Sequence, residues 1–307
     1  MLVTCPSCGK RRSDRAPACP FCGQSPPKAF HAAPGSLGTL EAEVPRRDPK
    51  FHLSAGSAVA RTFRLWGTNF FALFALGALV KSPAFAVRGL IAVLADPEIR
   101  EGLSIVANLV TLIFSVILEG AVAYFVIGQI VGSRATIAVA VRTALACGGT
   151  MVGAAFLAGL AVLPGCACLV VPGLILATWL WVAVPVVVIE SPGAAAALTR
   201  SRQLTSDNRW PVFACMAYLT IVRLAGFAVV VAAVRAAGGP GVFKAVTGSV
   251  VSSMHLTAGA EAIIELLTVP LATLGATGTA VVYHDLRSGK EGISDRELRV
   301  LFESSIR

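Results

Sequence analysis

Long apolar stretches, separated by short polar and basic segments, make up most of the chain from residue 50 onward. The longest covers residues 143–189 and contains no Asp, Glu, Lys or Arg over 47 residues. Because one membrane-spanning helix needs about 20 apolar residues, this stretch predicts two helices joined by a turn. Pro164 and Gly165 supply the turn, and Pro172 and Pro185 are expected to bend the second helix.

The same criterion predicts six membrane-spanning helices along the chain. Their expected bounds are about 69–87, 103–131, 144–163, 166–189, 210–234 and 266–283. Lipid offers the backbone no hydrogen-bond partners, so such segments must be helical. The predicted fold is an all-α polytopic membrane protein, with a membrane domain over residues 51–287 and a cytoplasmic tail over 288–307.

Composition supports this class. Hydrophobic residues make up 55% of the 307, charged residues make up 14%, and the mean hydropathy is +0.75. These values exclude an ordinary water-soluble enzyme.

The basic residues indicate the orientation of the spans. Of 26 Lys and Arg, 20 fall on the face that carries both termini, four fall on the other face and two lie within spans. Cytoplasmic loops are enriched in Lys and Arg, which predicts cytoplasmic termini and a multi-pass protein of the cell inner membrane. Contact with the lipid bilayer accounts for the net charge of +9, and nucleic acid is not an expected partner.

A small residue, an Arg and a hydroxyl residue occur together at residues 60–62, 141–143 and 199–201, each time ahead of a span. The residues around them have helical apolar spacing. This pattern predicts three interfacial helices on the cytoplasmic surface, each followed by a helical hairpin. The alternative is that these are ordinary helix ends at the membrane surface, without an internal repeat.

The N-terminal segment CPSCGKRRSDRAPACPFCG contains two tight cysteine turns, Cys5-x2-Cys8 and Cys19-x2-Cys22. Four thiolates at this spacing are typical of a tetrahedral zinc site, and the segment resembles the short zinc ribbons at the N-termini of many bacterial proteins. A disulfide framework is the alternative, but a reducing cytoplasm favours metal binding. We expect a zinc ribbon over residues 1–23 and a flexible linker over 24–50.

A site with four Cys ligands leaves no open coordination position, so the expected Zn²⁺ is structural. A segment this short cannot bury a core of its own, and its fold is expected to depend on the metal. A zinc ribbon held at a membrane in this way suits the binding of a protein partner.

Two segments carry a family resemblance: PGLILATWLWVAVPVVVIESPGAAAALTRSRQLTSDNRW, and YHDLRSGKEG near the C-terminus. They resemble the bacterial membrane family related to the membrane domain of glycerophosphoryl diester phosphodiesterases, over roughly residues 50–300. The resemblance implies a six-helix membrane domain. It implies no phosphodiesterase barrel, so that activity does not carry over.

Within these segments Glu190, Arg200, Ser201, Asp285 and Arg287 form a candidate interfacial motif. Glu190 ends a span ten residues before Arg200, and Asp285 and Arg287 end the last span on the same face. Carboxylates beside basic loops usually form ion pairs that hold helices together, and this interpretation is preferred to a chemical role.

Two charged residues lie deep in predicted spans. Glu119 and Arg223 are both about 18 to 20 Å from the cytoplasmic ends of their helices at 1.5 Å per residue. A lone charge at that depth is costly, whereas a facing pair satisfies both groups, which predicts a Glu119–Arg223 contact. A buried structural pair and part of a solute pathway are the two interpretations.

Other charges lie near the outer surface. Lys81 is expected to extend its ammonium to the interface. Glu261 and Glu265 fall on one helical face at the outer mouth of the last span, where an interfacial rim is expected and a cation site is the alternative.

The sequence favours a non-enzymatic scaffold or interaction protein built around the zinc ribbon. The four His residues leave no His pair inside a span for an intramembrane metalloprotease. The alternative is a transporter or lipid-handling protein that uses Glu119 and Arg223 as an intramembrane polar site. A dry helical bundle would favour the scaffold, and a cleft that contains both charges would favour the alternative. The oligomeric state does not follow from the sequence.

Overall fold

The computed structural model describes residues 2–4, 11–13, 51–94, 97–133, 135–168, 170–238, 243–245, 254–256, 258–292 and 299. The chain divides into two compact units, Met1–Val44 and Pro45–Arg307. In the first unit, β1 (Leu2–Thr4) pairs antiparallel with β2 (Arg11–Ser13). The four candidate zinc ligands, Cys5, Cys8, Cys19 and Cys22, and the predicted linker lie outside the described residues.

Within its described residues the second unit is helical apart from one short pair of antiparallel strands. Its first helices are α1 (Ala55–Thr68), α2 (Phe70–Leu94), α3 (Pro97–Ile130), α4 (Ile137–Ala146), α5 (Gly148–Cys168) and α6 (Val170–Leu180). They are followed by α7 (Ala183–Glu190), α8 (Ala194–Thr205), a 3₁₀ turn (Ser206–Asn208) and α9 (Arg209–Gly238). The chain continues through β3 (Phe243–Ala245), β4 (Met254–Leu256), α10 (Ala258–Leu267) and α11 (Val269–Glu291), with β3 and β4 antiparallel.

Six helical segments of the described chain are long and apolar enough to cross a bilayer. The prediction of six spans and a multi-pass membrane protein is therefore confirmed. Large apolar side chains point outward from them: Phe71 is 84% exposed and Leu163 is 70% exposed. Such a surface suits lipid rather than water as its solvent.

Prolines set the breaks within the spans. Pro185 cannot donate a hydrogen bond to the carbonyl of Trp181, and the fourth span breaks between α6 and α7 at Trp181 and Val182. Pro83 lies inside α2, where the Ser82 hydroxyl donates to the Leu79 carbonyl that the proline leaves without its usual partner (2.8 Å).

The third span differs from the sequence prediction. Pro164 lies inside α5, which continues to Cys168, instead of marking the turn to the next span. The helix also begins at Gly148, after a break at Cys147 that separates it from α4. Neighbouring helices satisfy or cover the backbone groups that a proline frees, so a proline in a membrane need not end a helix.

The last helix, α11, lies at the centre of the unit and packs against α1, α2, α3 and α9. Its residues from Thr273 to Leu286 are buried except Asp285. Its hydroxyls bond within the helix, as Thr277 Oγ1 does to the Thr273 carbonyl (2.8 Å). Thr273 Oγ1 also accepts a hydrogen bond from Trp66 Nε1 of α1 (3.2 Å), so bonds within the helix and from a neighbouring helix together accommodate these polar residues.

The short helices α1, α4 and α8 each precede two of the spans, which matches the order expected for a threefold unit. Each turns small or hydroxyl residues inward. These buried residues are Ala58 and Thr62 in α1, Ala140 and Ala144 in α4, and Ala197 and Ser201 in α8.

Candidate functional site

A cavity of about 680 Å³ lies between the spans, and Lys81 of α2, Glu119 of α3 and Arg223 of α9 all contribute to its lining. Residues of α11 complete the wall, among them Gly275 and Thr279. We call this cavity the charged cleft. It brings both predicted intramembrane charges to one site and adds Lys81 to them.

Arg223 reaches the charged cleft across a glycine. Its guanidinium and side-chain carbons lie so close to Gly275 that a Cβ there would be 2.7 Å from Nη1. Arg223 forms no ion pair or hydrogen bond among the described residues, and its side chain is exposed to the cleft.

Glu119 lies beside the Thr279 hydroxyl, and the charge of Arg223 acts on its carboxylate. The structure thus places Glu119 and Arg223 in one cavity without a direct ion pair between them among the described contacts.

Glu119 and Trp181 also line a second cavity of about 300 Å³, bounded by α5, α6 and the start of α7. The other residues that line it include small apolar ones such as Ala154, Ala158 and Gly159. We call it the apolar cavity. Because Glu119 and Trp181 belong to both linings, they form the partition between the two cavities.

A buried ion cluster lies at another end of the charged cleft. Glu265 of α10 pairs with Arg88 Nε at 3.0 Å and with Lys81 Nζ at 3.7 Å, and the three side chains are at most 18% exposed. Arg88 also bonds to Asn108 Oδ1 (2.8 Å) and to Thr111 Oγ1 (3.3 Å) of α3. Lys81 therefore points inward to a carboxylate instead of outward to the interface, and Glu265 is buried instead of lying on a rim.

The cluster could have been anticipated only in part. Lys81 and Arg88 are seven residues apart on one helix and so share a face, which is a readable signal. Their common partner comes from a helix far along the chain, and no spacing identifies it.

The interfacial motif residues form a second network. Glu190, at the end of α7, accepts from Arg200 Nε (2.9 Å) and from the Tyr283 hydroxyl (2.9 Å). Arg287 Nη1 donates to that same hydroxyl (2.7 Å). Glu291 pairs with Arg200 Nη2 (2.5 Å) and with Arg287 Nε (3.5 Å). The network ties α7 and α8 to the end of α11.

The remaining motif residues also connect helices. The Ser201 hydroxyl donates to the Trp179 carbonyl (2.7 Å), which lies near the end of α6 where the fourth span breaks. Asp285 accepts from Arg61 Nη1 (2.6 Å), which joins α11 to α1. These contacts fix the short helices against the spans.

The rim of the charged cleft is apolar and faces outward. Leu112 of α3 and Leu224 of α9 are 62% and 63% exposed, and both contribute to the lining. In a bilayer these side chains contact acyl chains, so the cleft opens sideways to lipid. A polar floor behind an apolar opening suits a molecule with one polar end and one apolar end.

Metal binding was tested on the part of the chain that the structure describes. No group of three or more His, Cys, Asp or Glu residues there is arranged to hold a metal ion. The four N-terminal cysteines lie outside the described residues.

The six spans and the polar floor between them define a multi-pass helical membrane protein with an intramembrane cleft. Comparison of the chain with protein-family models, curated proteins and solved structures found no match. The family resemblance of residues 50–300 therefore stays an interpretation of the residues themselves.

Proposed function

We propose that this chain is a lipid-handling membrane protein that binds an amphiphilic molecule in the charged cleft. The observation that carries the proposal is the pair Glu119 and Arg223 on the floor of a cleft with an apolar, outward-facing rim. Charges inside a membrane are costly and usually mark a substrate site or a proton pathway. A pure scaffold has no use for such a cleft.

The shape of the opening favours a lipid over a water-soluble solute. Leu112, Leu224 and Phe227 form the exposed rim, and each would contact acyl chains. A molecule entering from the bilayer keeps its apolar part in contact with that rim while its polar part reaches the floor. A water-soluble solute would have to cross the same apolar rim without such contacts.

A scaffold role for the N-terminal unit is the second candidate. The antiparallel pairing of β1 with β2 supports it, because Cys5 and Cys8 fall between these two paired strands in the sequence. In this proposal Cys5, Cys8, Cys19 and Cys22 hold one structural Zn²⁺, and the ribbon binds a protein partner.

We place the chain in the inner membrane with both termini in the cytoplasm, on the strength of the basic-residue count. Reporter fusions at each terminus test this orientation. Activity of a periplasm-dependent reporter at either end would overturn it.

Saturable photolabelling tests the lipid proposal. The full-length protein in lipid nanodiscs is exposed to a photoactivatable fatty acid, and excess unlabelled lipid is added as competitor. Competable labelling should map to peptides of α3 and α9, whereas labelling by surrounding lipid should not be competed.

A matched pair of variants on α9 sharpens the test. Thr220 lines the charged cleft, and its neighbour Ile221 is 64% exposed and lies outside the lining. T220W should abolish competable labelling by filling the cleft, and I221W should retain it. Equal labelling of the two variants would refute the proposal.

A further inference from the structure

We infer that the amphiphile carries a head group of a single negative charge, bound between Lys81 and Arg223. This inference rests on the proposed lipid-handling function and adds the chemical class of the ligand. The head group is either a carboxylate or a phosphodiester, since both carry one negative charge at neutral pH.

The first argument is the balance of charge. The residues that line the charged cleft include two cations, Lys81 and Arg223, and one carboxylate, Glu119. One positive charge is in excess among these described residues. An uncompensated charge inside a bilayer is unfavourable, and a bound monoanion would neutralise it.

The second argument locates the excess. Arg88 is the closer partner of Glu265, at 3.0 Å, and two α3 side chains hold it in place. Lys81 is 3.7 Å from the same carboxylate and, unlike Arg88, lines the charged cleft. Glu265 thus has a closer cation than Lys81, and Lys81 is the member of this cluster that a ligand in the charged cleft can reach.

The third argument is the repulsion between two cations. Lys81 and Arg223 line the same cavity, and both side chains carry a positive charge. An anion placed between them replaces this repulsion with two attractions. A guanidinium and an ammonium both donate hydrogen bonds to carboxylate or phosphate oxygens.

The size of the site agrees with a lipid head group and part of a chain. A volume of about 680 Å³ lies within the usual range for small-molecule sites. The apolar rim at Leu112 and Leu224 then accommodates the chain nearest the head group.

The test is a competition experiment on the full-length protein in nanodiscs, with the photoactivatable fatty acid as the probe. The competitors are oleate, phosphatidylglycerol, zwitterionic phosphatidylcholine and neutral diacylglycerol. We expect the better of the two anionic lipids to compete at least about tenfold better than the zwitterionic and neutral lipids, as one or two charge-assisted hydrogen bonds would produce. The stronger competitor of the two anionic lipids shows whether the head group is a carboxylate, as in oleate, or a phosphodiester, as in phosphatidylglycerol.

Variants connect this preference to the two cations. K81Q and R223Q should each reduce the preference for anions about tenfold. K81R keeps the positive charge and should therefore keep the preference. R235Q, on the same helix as Arg223 but outside the cleft lining, is the control and should keep the full preference. Size-exclusion chromatography checks that each variant is folded.

The outcomes are distinguishable. Competable labelling with equal competition by all four lipids would overturn the inference and leave the lipid-handling function intact. Absence of competable labelling in the unaltered protein would overturn both the inference and the lipid-handling function. An unchanged preference in folded K81Q and R223Q would also overturn the inference.

Discussion

The Arg223 side chain lies directly against Gly275 of α11, at a point where a Cβ atom would collide with its guanidinium. Gly275 thus holds open the space that Arg223 occupies on the floor of the charged cleft. The glycine is needed for a close approach of two helices and not for its backbone conformation, since only Gly132 and Gly292 among the described glycines have positive φ.

Replacing this glycine should disturb binding more than folding. In G275A the new methyl group displaces the end of a flexible side chain, so Arg223 leaves its position while the helices stay packed. We expect competition by anionic lipid to weaken about tenfold, as after loss of a hydrogen bond to a charged group. The lipid competition assay measures this effect.

G149A is the matched control, because nothing lies within 4 Å of a Cβ at Gly149. Its lipid competition should be unchanged. Equal weakening in the two variants would show that the position of Arg223 does not govern binding.

The network around Glu190 should contribute to stability. R200Q removes the closer of two cations shared by Glu190 and Glu291, whose side chains are 18% and 26% exposed, and leaves Arg287 as the other. Removing the charged partner of a partly buried carboxylate costs about 1 to 3 kcal/mol. We therefore expect R200Q to lower the free energy of unfolding by this amount. Steric-trapping measurements in bicelles provide the value.

K290Q is the control for this prediction. Lys290 pairs with Asp207 at 2.7 Å, but the Asp207 side chain is 79% exposed. Water screens an exposed ion pair, so K290Q should have the smaller effect. A larger loss in K290Q than in R200Q would contradict our interpretation of the network.

Trp181 should limit the length of chain that the protein accepts. It separates the charged cleft from the apolar cavity, so W181A joins a space of about 680 Å³ to one of about 300 Å³. Each further buried methylene contributes about 0.8 kcal/mol, and two of them should improve competition by a longer chain about tenfold. A series of fatty acids of increasing length, used as competitors, measures the change.

Trp210 is the control tryptophan, because it is 79% exposed and lines neither cavity. W210A should leave the preferred chain length unchanged. An identical length profile for W181A and the unaltered protein would mean that the two cavities do not act together.

The N-terminal cysteines should bind one zinc ion per chain. Elemental analysis of the purified protein should give a zinc-to-protein ratio near one, because four thiolates complete one tetrahedral site. C5S should lose most of this zinc. C147S, at the break between α4 and α5, should keep it. A ratio near zero in protein purified without chelators would contradict the prediction.

The number of spans followed from the sequence alone. An apolar run such as residues 143–189 has no soluble alternative, and the energetic cost of unpaired backbone in lipid makes it helical. The bend at Pro185 was also predictable, because proline has no backbone N–H and the hydrogen bond that it cannot make belongs to its own helix. The continuation of α5 past Pro164 was not predictable, because neighbouring helices determine whether a proline ends a helix.

The candidate site was only partly readable from the chain. The deep positions of Glu119 and Arg223 drew attention to them, since charges inside a span are unusual. Glu190 and Arg200 are ten residues apart, which made their proximity a reasonable expectation. The cleft itself, its lateral opening and its partition at Trp181 depend on how the helices pack.

The sequence by itself determined which segments enter the membrane, because that choice depends on the transfer of each segment from water to lipid and needs no neighbours. Tertiary structure decided which charges share a site. Glu265 contacts Lys81 because α10 packs against α2, and Arg223 contacts Gly275 because α11 packs against α9. Both contacts join helices that are separate along the chain. Electrostatic energy depends on distance in space, and sequence separation does not fix that distance.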